Sequence, residues 1–188
     1  MNRVFTAAAF ADILLLTITA VLGTIVEGTH LFGQHFSLAL FTSLLTVLIH
    51  VVVFTYFSAT GRMISQAVWI GHLDHAPLER VRHFKARVIR WVAGGVGTIV
   101  LVGSLGATCA GDPAWRWGHA AAALLAITVN AGAFYIEYGY IRQNRELMTT
   151  VLAAYDAART ARPANPDTAA ARPIRTGRAY PERTSQPG

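Results

Sequence analysis

Three polar residues inside long apolar stretches are the strongest candidates for chemistry in this sequence. Asp12, His50 and Asn130 each interrupt a run of hydrophobic residues. A polar or ionisable side chain is costly in such a run, so it usually faces the interior of a helical bundle, where it has a partner. On helices, all three lie roughly 10–15 Å from the same end of their stretches. We therefore expect them to form one buried polar cluster, while Glu137, nearer the end of its stretch, is expected to pair with a basic neighbour.

A carboxylate beside an imidazole supports several kinds of chemistry. It can hold the tautomer of the ring, orient the ring as a metal or haem ligand, or pass a proton. His50 is thus the candidate ligand of a transition metal or haem, and Gly94, Gly95 and Gly97 leave room at the same depth. A haem with two axial histidines needs a second histidine at this level, which the other three stretches lack. The structural alternative is that Asp12 and His50 form a buried pair that fixes helix register.

A second group of candidates lies at the opposite end of the same stretches. It comprises Glu27, His30, His35 and His119. Imidazole and carboxylate ligands together bind transition metals, and the spacing of Glu27 and His30 puts both on one face of a helix. The sequence therefore predicts a candidate metal site here, with ordinary interfacial histidines as the alternative.

Four apolar stretches must position these residues. They cover residues 5–26, 36–58, 88–110 and 118–140, and a helix needs about 20 apolar residues to cross a bilayer. Only 14% of the residues are charged, against about 25% in soluble domains. Short connections make consecutive helices antiparallel neighbours. We predict an all-α membrane protein, an antiparallel four-helix transmembrane bundle with no room for a soluble catalytic domain.

The basic residues report topology rather than nucleic-acid binding. The net charge is +6, but Arg116 is the only one of the 16 Lys and Arg residues that does not precede the first stretch, follow the fourth or lie near the connection between the second and third. Positive residues favour the cytoplasmic side of a membrane. Both termini and the long connection are therefore predicted to be cytoplasmic, in the inner membrane of a bacterium, with the lipid bilayer as one partner.

The connections and the tail differ in their predicted structure. The second and fourth helices are expected to extend into the cytoplasm, with a break at 71–77 where Asp74 and Pro77 favour a new helix start. Residues 1–162 form the predicted transmembrane domain, whose first stretch is expected to be retained rather than cleaved. Residues 163–188 contain five prolines and few large apolar side chains, so a disordered tail is expected there.

Three functions remain open on the sequence alone. The first is a small non-catalytic accessory or anchoring subunit, with other membrane subunits or a second copy as partners, because no complete catalytic set is present. The second is a redox or metal- or haem-binding protein that uses His50 or the histidines at the other end. The third is a proton or ion carrier through the layer of Asp12, His50 and Asn130.

Overall fold

Four long helices make up nearly all of the chain that the computed structural model describes, which is residues 2–26 and 29–161. They are α1 (Asn2–Ile25), α2 (Thr29–Gly71), α3 (Ala76–Gly111) and α4 (Arg116–Ala161), with a short 3-10 turn at Pro113–Trp115 before α4. The predicted all-α fold is confirmed. The predicted tail, 163–188, lies outside the described residues.

All four helices are long and apolar enough to cross a membrane. α1 has 24 residues, whereas α2, α3 and α4 have 43, 36 and 46. A span needs only about 20 residues, so α2, α3 and α4 each continue well beyond one bilayer thickness. The predicted extensions of the second and fourth helices are present, and the third helix is also longer than its predicted span of 88–110, since the basic segment before it belongs to the same helix.

The break between α2 and α3 is where the sequence predicts it. The N–H of Leu73 donates to the carbonyl of Val68 at 3.0 Å, and His72 has a φ of 51°, the left-handed turn that closes many helices. Pro77 lies in the first turn of α3, where its missing N–H costs no helical hydrogen bond. The carboxylate of Asp74 accepts from the N–H of Ala76 at 3.3 Å, so the predicted start residues do begin the helix.

The buried side chains form one core, which contains both apolar and polar residues. Its apolar members on α2, α3 and α4 include Val53, Phe57, Ile64, Val68, Phe84, Val88, Ile141, Leu147 and Val151. Many large apolar residues face outward instead, among them Phe10, Phe41, Leu44, Leu48, Val100 and Leu124. Apolar side chains on both the inside and the outside are what a helix surrounded by lipid requires. Several polar residues are buried as well, including Asp12, His50, Asn130 and Glu137.

Candidate functional site

His50 lies at the centre of a completely buried polar cluster that joins α2 and α4. Its Nδ1 is 2.9 Å from Oε1 of Glu137, and its Nε2 is 2.9 Å from Oδ1 of Asn130. All three residues are 0% exposed. Phe134 packs against the imidazole with ring centroids 5.1 Å apart, and Phe5 of α1 packs edge-on against Phe134. The aromatic rings therefore cover the cluster on the side of α1.

The hydrogen bonds around Asn130 determine which atom of its amide faces His50. The hydroxyl of Thr98 donates to the carbonyl of Gly95 at 2.7 Å, so its oxygen can accept. The amide nitrogen of Asn130 donates to that oxygen at 3.2 Å and to the carbonyl of Ala126 at 2.8 Å. The amide oxygen of Asn130 must then face Nε2 of His50, which carries a proton and donates it.

This orientation leaves a single proton between His50 and Glu137. With Nε2 protonated, the pair is either an imidazolium beside a carboxylate or a neutral imidazole that accepts from a protonated Glu137. The two forms differ only in which side of a 2.9 Å contact the proton occupies. Oε2 of Glu137 is buried without a hydrogen-bond partner among the described residues. The pair therefore shares one proton, and both of its side chains are buried from solvent.

Gly95 of α3 makes the close approach of α3 to this cluster possible. A Cβ atom at this position would lie 2.7 Å from Oδ1 of Asn130 and would also collide with Nε2 of His50. The other two glycines of the predicted notch behave differently. A Cβ on Gly94 would meet only Val129, at 3.9 Å, and a Cβ on Gly97 would have nothing within 4 Å. Gly95 alone among the three provides the space for the cluster.

Asp12 of α1 belongs to a neighbouring layer. Its partner on α2, Thr46, precedes His50 by one helical turn. Both of its carboxyl oxygens are 3.0 Å from the hydroxyl of Thr46, which also lies 2.9 Å from the carbonyl of Thr42. Thr46 has one proton for these acceptors. The hydroxyl of Thr46 therefore shares its proton between the carboxyl group of Asp12 and the carbonyl of Thr42. Asp12 is 0% exposed, like His50.

The structure corrects the predicted partner of His50. Asp12 was expected to face His50 directly, but it bonds to Thr46, and Glu137 takes the place beside the imidazole. The reason is rotation about the helix axis, since similar depth does not imply the same azimuth. Glu137 is seven positions after Asn130 on α4, which places both on one face two turns apart. Because each ring nitrogen of His50 is already hydrogen-bonded, the ring offers no open lone pair to a metal or haem iron.

A row of threonines continues the polar interior beyond Asp12. Thr42, Thr46 and His50 recur every four residues on one face of α2, and all three are at most 1% exposed. The hydroxyl of Thr42 is 3.4 Å from that of Thr19 on α1. This row of hydroxyls points toward the end of the helices that carries His35.

Apolar side chains close the cluster on its other side. Val53, Phe57 and Ile141 occupy the next turns of α2 and α4, each at most 2% exposed. Beyond them, the amide of Asn144 donates to the hydroxyl of Thr60 at 2.8 Å. An apolar layer therefore separates this inner pair from the cluster around His50.

The predicted metal ligands are only partly within the described chain. Glu27 and the side chain of His30 lie outside the described residues. His35 and His119 are brought together, with ring centroids 6.3 Å apart. No group of three or more His, Cys, Asp or Glu side chains suited to a metal occurs among the residues that the structure describes.

The fold and the site together define an all-α protein whose four helices have membrane-spanning length and composition and enclose a sealed acid–histidine cluster. No protein-family model, curated protein or solved structure matches the chain.

Proposed function

We propose that this protein is a proton carrier of a membrane, in which the pair of His50 and Glu137 takes up and releases a proton. The observation that carries the proposal is the 2.9 Å contact between two ionisable side chains that are both 0% exposed. Ionisable groups at membrane depth are costly and commonly mark proton or ion pathways. A pair that only fixed helix register would need no second buried carboxyl, yet Asp12 lies in the adjacent layer.

The contacts between helices support an antiparallel transmembrane bundle as the scaffold. Between α1 and α2 they join Thr19 to Thr42 and Asp12 to Thr46, so residue numbers fall on one helix as they rise on the other. Between α2 and α4, His50 contacts Asn130 and Thr60 contacts Asn144, so residue numbers rise together on both helices and these two helices are parallel. Alternating helices of a bundle have this pattern. The distribution of the arginines supports a cytoplasmic position for both termini.

The surroundings of the pair support proton access from one side. Threonine hydroxyls both donate and accept, so Thr46 and Thr42 extend the hydrogen-bonding interior from Asp12 toward the His35 end. The apolar layer of Val53, Phe57 and Ile141 blocks the opposite direction. In the proposed topology the row of threonines leads to the external side, and proton uptake from that side requires a movement that connects the buried pair to Asp12 and Thr46. Release to the cytoplasm then requires the apolar layer to open.

Proton flux into liposomes tests the proposal. The purified full chain is reconstituted with a pH-sensitive dye inside, and a potassium gradient with valinomycin drives protons across the membrane. We expect the wild-type protein to acidify the lumen faster than protein-free liposomes do. Glu137→Gln, which keeps a polar side chain beside His50 but cannot exchange a carboxyl proton, should reduce the rate to that of protein-free liposomes.

Glu146→Gln is the matched control for this experiment. Glu146 is 68% exposed and pairs with Arg142 on the surface of α4, so its replacement should leave the flux unchanged. Equal flux in the wild-type protein and in Glu137→Gln, with both folded and inserted, would contradict the proposal. No flux above that of protein-free liposomes for the wild-type protein would contradict it as well.

A second proposal, an accessory or anchoring subunit, is supported by the length of three of the helices. The segments around Ile64, Val68, Phe84 and Leu147 form a core that α2, α3 and α4 share beyond the level of the polar cluster. Such a three-helix extension, on the basic side of the chain, suits docking of a cytoplasmic partner. Purification in mild detergent tests this proposal. A stoichiometric partner supports it, and its absence from a native membrane extract contradicts it.

A further inference from the structure

His35 and His119 form a second histidine site at the opposite end of the helices from the three-helix extension. Their rings approach across the contact between α2 and α4, with centroids 6.3 Å apart and planes at 88°. His35 and His50 are separated by about 22 Å along α2. The two histidine sites therefore share no residue.

Both imidazoles belong to half-buried residues, and each has one buried nitrogen without a hydrogen-bond partner. Nδ1 of His35 and Nδ1 of His119 are each buried without a hydrogen-bond partner among the described residues. A buried polar atom without a partner costs free energy comparable to a lost hydrogen bond, and it is rare unless a ligand, ion or water satisfies it. Two such atoms on neighbouring rings indicate one shared ligand.

Glycines on the other two helices create the space for these rings. A Cβ on Gly23 of α1 would lie 2.8 Å from Cε1 of His35, and a Cβ on Gly106 of α3 would lie 3.0 Å from Cε1 of His119. Each ring thus fits against backbone on a neighbouring helix, and all four helices contribute to the site. Rings held in this way are pre-organised for a ligand.

We propose that His35 and His119 bind one divalent transition-metal ion, Zn²⁺ or Cu²⁺, through their unpartnered nitrogens. Neutral imidazole is a preferred ligand of both ions. Metal–nitrogen bonds of about 2 Å place two donor nitrogens at most about 4 Å apart, so one ion is shared across the 6.3 Å between the ring centroids only when both unpartnered nitrogens point toward each other. Two protein ligands leave coordination positions open, so the ion is exchangeable rather than structural. This proposal does not depend on the proton-carrier function.

Metal titration of the purified full chain in detergent tests the proposal. Zn²⁺ binding is measured by calorimetry, and the nitrogen ligation of Cu²⁺ by electron paramagnetic resonance. We expect one ion per chain, and a loss of affinity of at least about tenfold in His35→Ala and in His119→Ala. The control is His83→Ala, because His83 is an exposed histidine of α3 outside this site. The Zn²⁺ affinity of this variant should equal that of the wild-type protein.

A glycine pair keeps the test decisive if a histidine variant does not fold. Gly106→Ala pushes against the ring of His119, whereas Gly103→Ala meets nothing within 4 Å. We expect the first to weaken Zn²⁺ binding and the second to leave it unchanged. Equal Zn²⁺ affinity in the wild-type protein, His119→Ala and Gly106→Ala would overturn the proposal. Absence of bound Zn²⁺ and Cu²⁺ in the wild-type protein would overturn it too and would leave water as the partner of the two nitrogens.

Discussion

His50 and Glu137 are 87 positions apart in the chain and meet through a hydrogen bond of 2.9 Å at the centre of the protein. Asn130 accepts from the other nitrogen of the imidazole, so it determines which of the two ring nitrogens can exchange a proton with Glu137. The three side chains act as a unit, because the orientation of each is held by the others. Their energetic coupling is therefore the first quantity to measure.

The replacements His50→Ala and Glu137→Ala should not have additive effects on stability. The sum of the two single losses should exceed the loss in the double variant. His50→Ala or Glu137→Ala alone leaves an unpaired ionisable group in a low-dielectric interior, a loss of about 3–5 kcal/mol when a buried pair is broken. Neutral hydrogen bonds in membranes couple by only about 0.6 kcal/mol. We expect a coupling above about 1 kcal/mol in a double-mutant cycle, measured by unfolding in detergent.

The cycle of Asp12 with His50 provides the comparison. These residues are not hydrogen-bonded to each other, since Asp12 bonds to Thr46, so their coupling should be smaller than that of His50 with Glu137. A larger coupling for Asp12 and His50 would mean that the two side chains meet in a conformation different from the one described here.

Gly95 provides a test of how closely the cluster is packed. Gly95→Ala places a methyl group 2.7 Å from the amide oxygen of Asn130, so we expect a loss of about 1–3 kcal/mol, as for other overpacked sites. Gly97→Ala is the matched control two residues away. It meets nothing within 4 Å, and alanine favours helix by up to about 1 kcal/mol over glycine. Thermal unfolding in detergent measures both, and equal stability of the two variants would contradict the packing around His50.

Topology is tested by the placement of reporters. Fusions that interrupt the chain at Asp74 or follow Ala161 should report the cytoplasm, and one at Pro113 should report the external side, because the basic residues favour this orientation. Alkaline phosphatase and green fluorescent protein fusions give opposite signals and serve as mutual controls. An external position for Asp74 would reverse the proposed direction of proton access.

The sequence allows the fold to be predicted more fully than the site. Long apolar stretches identify the four helices, and glycine with proline marks the break after α2. These signals are local, so no tertiary information is needed. The signal for the start of α3 is also local, because Asp74 and Pro77 favour a helix start ahead of the basic segment that leads into the third span.

The residues of the cluster illustrate what the sequence leaves out. Asp12, His50 and Asn130 could be singled out because each is polar within an apolar run. Glu137 lies nearer the end of its stretch, so the sequence predicts a basic partner for it, although its spacing of seven from Asn130 indicates that both share a face of α4. Asp12 and Thr46 lie on different helices and are 34 positions apart in the chain. The sequence does not indicate how one helix is rotated about its axis relative to the other. Pairing inside the bundle depends on that rotation.

The most direct test of the central claim is the protonation of His50 itself. Nitrogen-15 NMR of histidine-labelled protein in liposomes resolves the two ring nitrogens, and His50→Gln identifies their signals. If the pair exchanges its proton, Nε2 should remain protonated while the signal of Nδ1 changes with the pH of the external solution, and Glu137→Gln should abolish that change. Ring signals of His50 that stay constant at every pH at which the protein remains folded would contradict the account and leave a sealed structural pair.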